Sequence, residues 1–159
     1  MGINSSDVKL KGIITITERD AKSGNVLSIN KYENLTTTKL HTALADVLSG
    51  DYSATAHVIG YLAVGTSDTA ANAADTALGA QVGANKAYVV GSLHNDTTAT
   101  KAEATFFFDS DESTYYETWA EVGLYAANGT DLLTHTVLDP TKTFNATKTM
   151  TVNYVIEIT

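Results

Sequence analysis

Cysteine is absent, which excludes a disulfide framework, a thiolate nucleophile and a cysteine-ligated zinc site. Positive charge is scarce. Arginine occurs once, at Arg19, and ten Lys and Arg stand against 18 Asp and Glu for a net charge of −8. Affinity for nucleic acid regardless of sequence comes from neutralising phosphates, so no direct nucleic-acid partner is expected. No apolar run approaches the roughly 20 residues a membrane-spanning helix needs. The opening Met1-Gly-Ile-Asn-Ser-Ser-Asp-Val8 lacks the charged and apolar regions of a secretory signal, so no membrane partner is expected either. A Gly-x-Ser-x-Gly elbow, a phosphate-binding loop and a dinucleotide fingerprint are all missing, which points away from an enzyme. Proline and tryptophan each occur once, as Pro140 and Trp119.

What remains is a folding composition. Of 159 residues, 43% are hydrophobic and 18% charged, enough for one core, and a single domain over 1–159 is expected. Val8, Leu10, Ile14 and Ile16 alternate with Lys9, Lys11, Thr15 and Thr17, the pattern of a half-buried strand. The turn cluster Asp20-Ala-Lys-Ser-Gly-Asn25 then returns the chain as a hairpin over 26–32. Leu40, Leu44, Val47 and Leu48 make one apolar stripe at helical spacing. A threonine stands ready to cap the start, and Gly50 sits at the stop. This predicts one short helix near 38–49. Strand signals follow at 57–64, and the small-residue stretch 66–86 reads as a long Ala/Gly-rich surface loop with a helical turn near 71–74. Further strands are predicted over 87–93, 100–109, 115–127, 131–138 and at the C-terminal Met150, Val152, Tyr154, Ile156 and Ile158. Asn128-Gly129 forms a hairpin turn, and Asp139-Pro140 breaks the run. The sum is a mainly β fold, an antiparallel, jelly-roll-like β-sandwich with one helix.

Candidate chemistry is sparse. His41, His57, His94 and His135 are scattered without ligand spacing. Asp109, Asp111 and Glu112 place oxygens at nearby positions, as a calcium loop does. Thr114, however, stands where an EF-hand needs its glycine, and Ala120 where it needs its bidentate glutamate. Glu117 and Glu121 would share a strand face at a separation a glycosidase pair could use, without an aromatic cleft around them. Across 115–125, strict alternation puts Tyr115, Glu117, Trp119, Glu121, Gly123 and Tyr125 on one face. The other face, with Tyr116, Thr118, Ala120, Val122 and Leu124, reads as core. The first set is a candidate contact surface, since aromatics dominate interface hot spots.

Several short motifs follow one another in a suggestive order. Asn34-Leu35 comes after the hairpin, followed by the Leu/Ala helix, Tyr61-Leu-Ala-Val-Gly-Thr66 and Asp75-Thr-Ala-Leu78. Then come Thr105-Phe-Phe-Phe108, Trp119-Ala-Glu-Val-Gly-Leu-Tyr125, Leu132-Leu133, Lys142-Thr143 and Thr149-Met-Thr-Val-Asn-Tyr-Val-Ile-Glu-Ile158. This order, over most of the chain, resembles small β-rich structural proteins of tailed bacteriophages. The resemblance implies a non-enzymatic virion component of a tail, baseplate, neck or fibre attachment. Such a protein would be made in the host cytoplasm and partnered by copies of itself in a symmetric homo-oligomer and by other virion proteins. A capsid decoration or head-fibre protein is the alternative address. A receptor- or carbohydrate-binding module with Trp119 as platform is the alternative class. Thr66, Asp75 and Leu78, with Tyr115, Trp119 and Tyr125, are the expected interface residues, and the 66–86 loop the expected interlocking element.

Overall fold

Alternating sequence becomes strand wherever one side of the backbone is buried and the other left in water. The computed structural model describes residues 9–51, 55–96 and 100–159. It contains β1 (Leu10–Asp20), β2 (Val26–Thr36), α1 (Thr38–Ser49), β3 (Ile59–Gly65), β4 (Gln81–Ala87) and β5 (His94–Asp96). After these come β6 (Lys101–Phe108), β7 (Thr118–Ala126), β8 (Leu132–Thr143) and β9 (Lys148–Ile158). Every strand pairing is antiparallel, in the order β4-β3-β7-β8-β2-β1-β9-β6-β5. The mainly β, antiparallel, one-helix architecture is therefore as expected. Its strands make one curled, half-barrel sheet, where the sequence reading anticipated two packed layers.

The curl lets the two halves share a core. Ile14 and Ile16 of β1, Phe106 of β6, and Val152 and Tyr154 of β9 meet Leu62 and Val64 of β3 and Val122 and Leu124 of β7. Burial of that many large apolar side chains is the main favourable term. Trp119 sits among aromatics, with its ring 4.8 Å from Phe108 and 5.3 Å from Phe144, and its indole N–H donates to Tyr115 O. Such edge-on and tilted contacts add to burial.

The two halves are joined through β2. Its final residues pair with β8 as Leu35↔His135 and Thr36↔Thr134, and the rest of the strand pairs only with β1. One end of the core is closed by a buried ion cluster. Glu18 on β1 takes hydrogen bonds from Lys142 (2.7 Å) and Lys148 (2.9 Å) and from Ser28, and Lys142 also reaches Ser28 Oγ at 2.9 Å. Across the other end lies α1, which buries only Ala43 fully and leaves Leu48 79% exposed. Between α1 and the ends of β1 and β9 runs an apolar cleft of about 380 Å³, lined by Leu10, Leu44, Val47 and Ile156 among others. Among the described residues, no helix is long and apolar enough to cross a membrane.

Several boundaries differ from the sequence reading. The expected 66–86 loop ends at Ala80, because Gln81–Ala87 pairs with β3 as β4. The strand expected at 87–93 is consequently displaced to 81–87. Pro140 does not end β8. It lies between the two stretches of β8 that pair with β7, where no ladder bond is required of its missing N–H. Gly50 does end α1, in the left-handed region at φ 91°. Thr37 at the helix start makes no side-chain cap and instead donates its hydroxyl to Leu132 O (2.5 Å) and Leu133 O (3.1 Å).

Candidate functional site

The most organised polar cluster lies outside the core, on the outer face of β3, β7 and β8. β7 is buried on both faces from Trp119 to Ala126, so something must cover its outer side. The cover is the 66–80 loop. A second apolar cluster of Ala63, Leu78, Tyr125 and Leu132 fills the space beneath it.

Glu121 is the centre of this arrangement and has no solvent exposure. Its Oε1 accepts the Ala80 N–H at 2.7 Å and, weakly, the Ser67 N–H at 3.4 Å. Its Oε2 accepts the Gly79 N–H at 3.0 Å. One carboxylate thus holds both ends of the loop. His135 lies across the ladder beside it, because β7 and β8 pair Gly123 with His135. The ring bridges two acids: Nε2 is 2.9 Å from Glu121 Oε2, and Nδ1 is 2.6 Å from Asp75 Oδ2 on the loop. Both contacts are satisfied together when both ring nitrogens carry protons. Asp75 is held below the usual carboxylate range by the Asn72 N–H first and then by His135. Leu78 inserts its side chain over Gly123, where an added Cβ would stand 2.8 Å from it, and its N–H donates to Tyr125 Oη at 3.2 Å. Gly65 is required for the same reason, since a Cβ there would fall 2.3 Å from Glu121 Oε1. Thr38, at the start of α1, ties the middle of the loop through two bonds to Ala73 O.

Every motif segment singled out around this face therefore meets in one latch: Gly65-Thr66, Asp75 with Leu78, and Glu121 with Gly123 and Tyr125. His135 is the member that sequence reasoning missed. It lies 60 residues from Asp75 and 14 from Glu121, and only the β7–β8 register brings the three together. Chemically, the cluster fixes main chain. The Glu121 oxygens are occupied by loop N–H groups and His135 within a buried site, which leaves no open position for a reacting molecule. Tyr125→Phe is expected to cost about 1–2 kcal/mol by leaving the buried Leu78 N–H without its acceptor. Chemical denaturation checks the magnitude, and faster hydrogen exchange at the Leu78 amide checks the cause.

The other expected site residues scatter. Trp119 and Tyr115 belong to the core, Tyr125 lies under the loop and Leu78 points inward from it, so these four offer no outward surface in the folded chain. The reason for Trp119 is a register shift between Trp119 and Glu121. This bulge inverts the alternation: Trp119 points inward along with Val122 and Leu124, while Glu121, Gly123 and Tyr125 point outward. Thr66 is exposed and Asp75 partly so. In the Asp109-Asp111-Glu112 turn, the candidate calcium loop, Asp109 and Asp111 are exposed. Glu112 folds back, one oxygen accepting the Asp109 N–H at 2.8 Å and the other paired with Lys86. Among the described residues, no group of three or more His, Cys, Asp or Glu is placed to hold a metal.

No protein-family model, curated protein or solved structure matches the chain.

Proposed function

We propose that this chain is a non-enzymatic virion structural protein of a tailed bacteriophage, a subunit of a tail, baseplate, neck or fibre attachment. The observation that carries the reading is the latch. Three of the short motifs that resemble phage structural proteins, Tyr61–Thr66, Asp75–Leu78 and Trp119–Tyr125, dispersed over the sequence, converge on one loop-fixing cluster whose groups hold main chain rather than present chemistry. Assembly subunits need surfaces that are rigid before they meet a partner, since ordering a loop on binding weakens association. The latch supplies that for the 66–80 segment, and the facing halves of the curled sheet do the work of a sandwich's two layers. The negative charge keeps free subunits soluble before they assemble. The alternative of a glycan platform at Trp119 loses its support, because that ring is enclosed by Phe108 and Phe144.

The test is immunoelectron microscopy of tailed particles from the source of the sequence, with antibodies raised against the purified chain. Label on the tail, baseplate or neck is the expected result. Label on the head would move the protein to a decoration role, and particles without label would overturn the virion reading.

A further inference from the structure

The latch protects the outer face of β3, β7 and β8, but a different part of the sheet is left open. From Val26 to Glu33, β2 pairs with β1 on one side and with no strand on the other among the described residues. Beyond the two pairs at Leu35 and Thr36, β8 reaches it only through side chains, Lys142 to Ser28 and Asn30, and Tyr32 Oη to Pro140 O. This is a long open edge with exposed apolar side chains: Val26 is 45% exposed, Leu27 53% and Ile29 63%. Unpaired edges of this kind are templates for adding another strand, and sequences that avoid such pairing guard them with proline, short length or inward charge. Lys31 and Glu33, at its far end, are the only charged residues from Val26 to Glu33.

Charge selects the partner. Residues 9–36, which span the hairpin, contain half of the chain's ten Lys and Arg but only Glu18, Asp20 and Glu33 of its 18 acids. Glu18 is turned inward and neutralised by Lys142 and Lys148. The hairpin is thus a basic projection on an otherwise strongly acidic chain. Pairing two such edges with each other would set basic against basic. The sheet has a better complement at its far end, where β4 is the terminal strand and offers seven residues against the three of β5. Beside β4 lies the acidic turn, tied to it by Tyr115 Oη to Ala84 O and by Lys86 to Glu112, with Asp109, Asp111 and Glu117 exposed.

We propose that the open β2 edge binds a second copy of this chain by strand addition, its basic hairpin meeting the β4 edge and acidic 109–117 turn of that copy. Resting on the assembly reading above, this goes further by naming the contact. The two surfaces differ, so the contact is head-to-tail and leaves one free edge at each end. It continues until a ring closes or a filament grows.

The experiment is light scattering of the purified chain over a concentration series at about 50 mM and 500 mM salt, with hydrogen exchange on the same samples. Assemblies larger than a dimer are expected at low salt, shifting toward monomer at high salt as the complementary charges are screened. Amides of 26–33 and of 81–87 should gain protection together. Ile29→Glu, at an exposed site, should keep the monomer's melting temperature and weaken association at least tenfold, by setting an acid against the acidic turn. Asp111→Lys should weaken it independently. A chain that stays monomeric at low salt and millimolar concentration overturns the proposal. So does an assembly that protects 26–33 without 81–87, or one that Ile29→Glu leaves intact. A chain found in particles yet monomeric in solution would sink this contact and leave the virion reading standing.

Discussion

Glu121→Ala is expected to lower the free energy of unfolding by about 3–5 kcal/mol and to detach the 66–80 loop from the sheet. The carboxylate is fully buried and holds the Gly79 and Ala80 N–H groups together with His135. Removing it strands buried donors, each costing about 1–3 kcal/mol. It also leaves the His135 ring with Asp75 as its only acid partner. Glu121→Gln keeps an oxygen for one pair of contacts but presents an amide donor to the other, so an intermediate loss is expected. Denaturant unfolding gives the size of each effect. Hydrogen exchange gives its location: the Gly79 and Ala80 amides should lose protection while β1 and β9 keep theirs in the folded state. A loss below about 1 kcal/mol for the alanine variant would mean that the apolar contacts of Leu78 and Tyr125 hold the loop without the carboxylate.

The latch also shows where sequence reading succeeds and where it stops. β1, β6 and β9 were legible because each has one face in the core and one in water, and their alternation survives intact in Ile14 and Ile16, Phe106 and Phe108, Val152 and Tyr154. The helix was legible from its stripe and from Gly50. β7 defeated the same rule in two ways. Its outer face is covered by a distant loop, so no polar side records solvent, and the bulge after Trp119 shifts the period by one residue. A period-two pattern carries no mark of an inserted residue. β4 was illegible for a different reason. Gln81-Val-Gly-Ala-Asn-Lys-Ala87 has little strand propensity, bends at Gly83 with φ 66°, and is a strand because β3 offers an edge to pair with. Thr37 shows the limit of local capping rules. Its hydroxyl could have capped α1, yet two carbonyls of β8 compete for it and win. His135 was unreadable as a site member, since its role depends on pairing register alone.

Acid sensitivity is the second large effect expected, and it arises at the ion cluster that closes one end of the core. Burial raises the Glu18 carboxyl pKa, but hydrogen bonds from Lys142, Ser28 and Lys148 and the charge of Lys142 outweigh it and leave the pKa at about 2, down from 4.5. A depressed carboxylate stabilises the fold above its unfolded pKa and loses that contribution as pH falls through its folded value. The window therefore runs from about pH 5 down to pH 2, and the shift corresponds to roughly 3 kcal/mol. Lys142→Met keeps the buried stem, removes the charge and should destabilise by about 3 kcal/mol at neutral pH, the low end for a broken buried pair because Lys148 remains on Glu18. It should also raise the Glu18 pKa, so that the variant loses less stability than the parent between pH 5 and 2. Asp20, Glu33, Asp75 and Asp131 are also held below their ordinary range by their own partners, and they supply the same background slope in both proteins. The quantity that matters is therefore the difference between two urea titrations run across that range. Converging stabilities toward pH 2 would locate the acid-labile energy in the Glu18–Lys142 pair. Parallel curves would mean that Lys148 and Ser28 alone hold Glu18 ionised, making the Lys142 ammonium a space-filling group rather than the counter-charge that closes this end of the sheet.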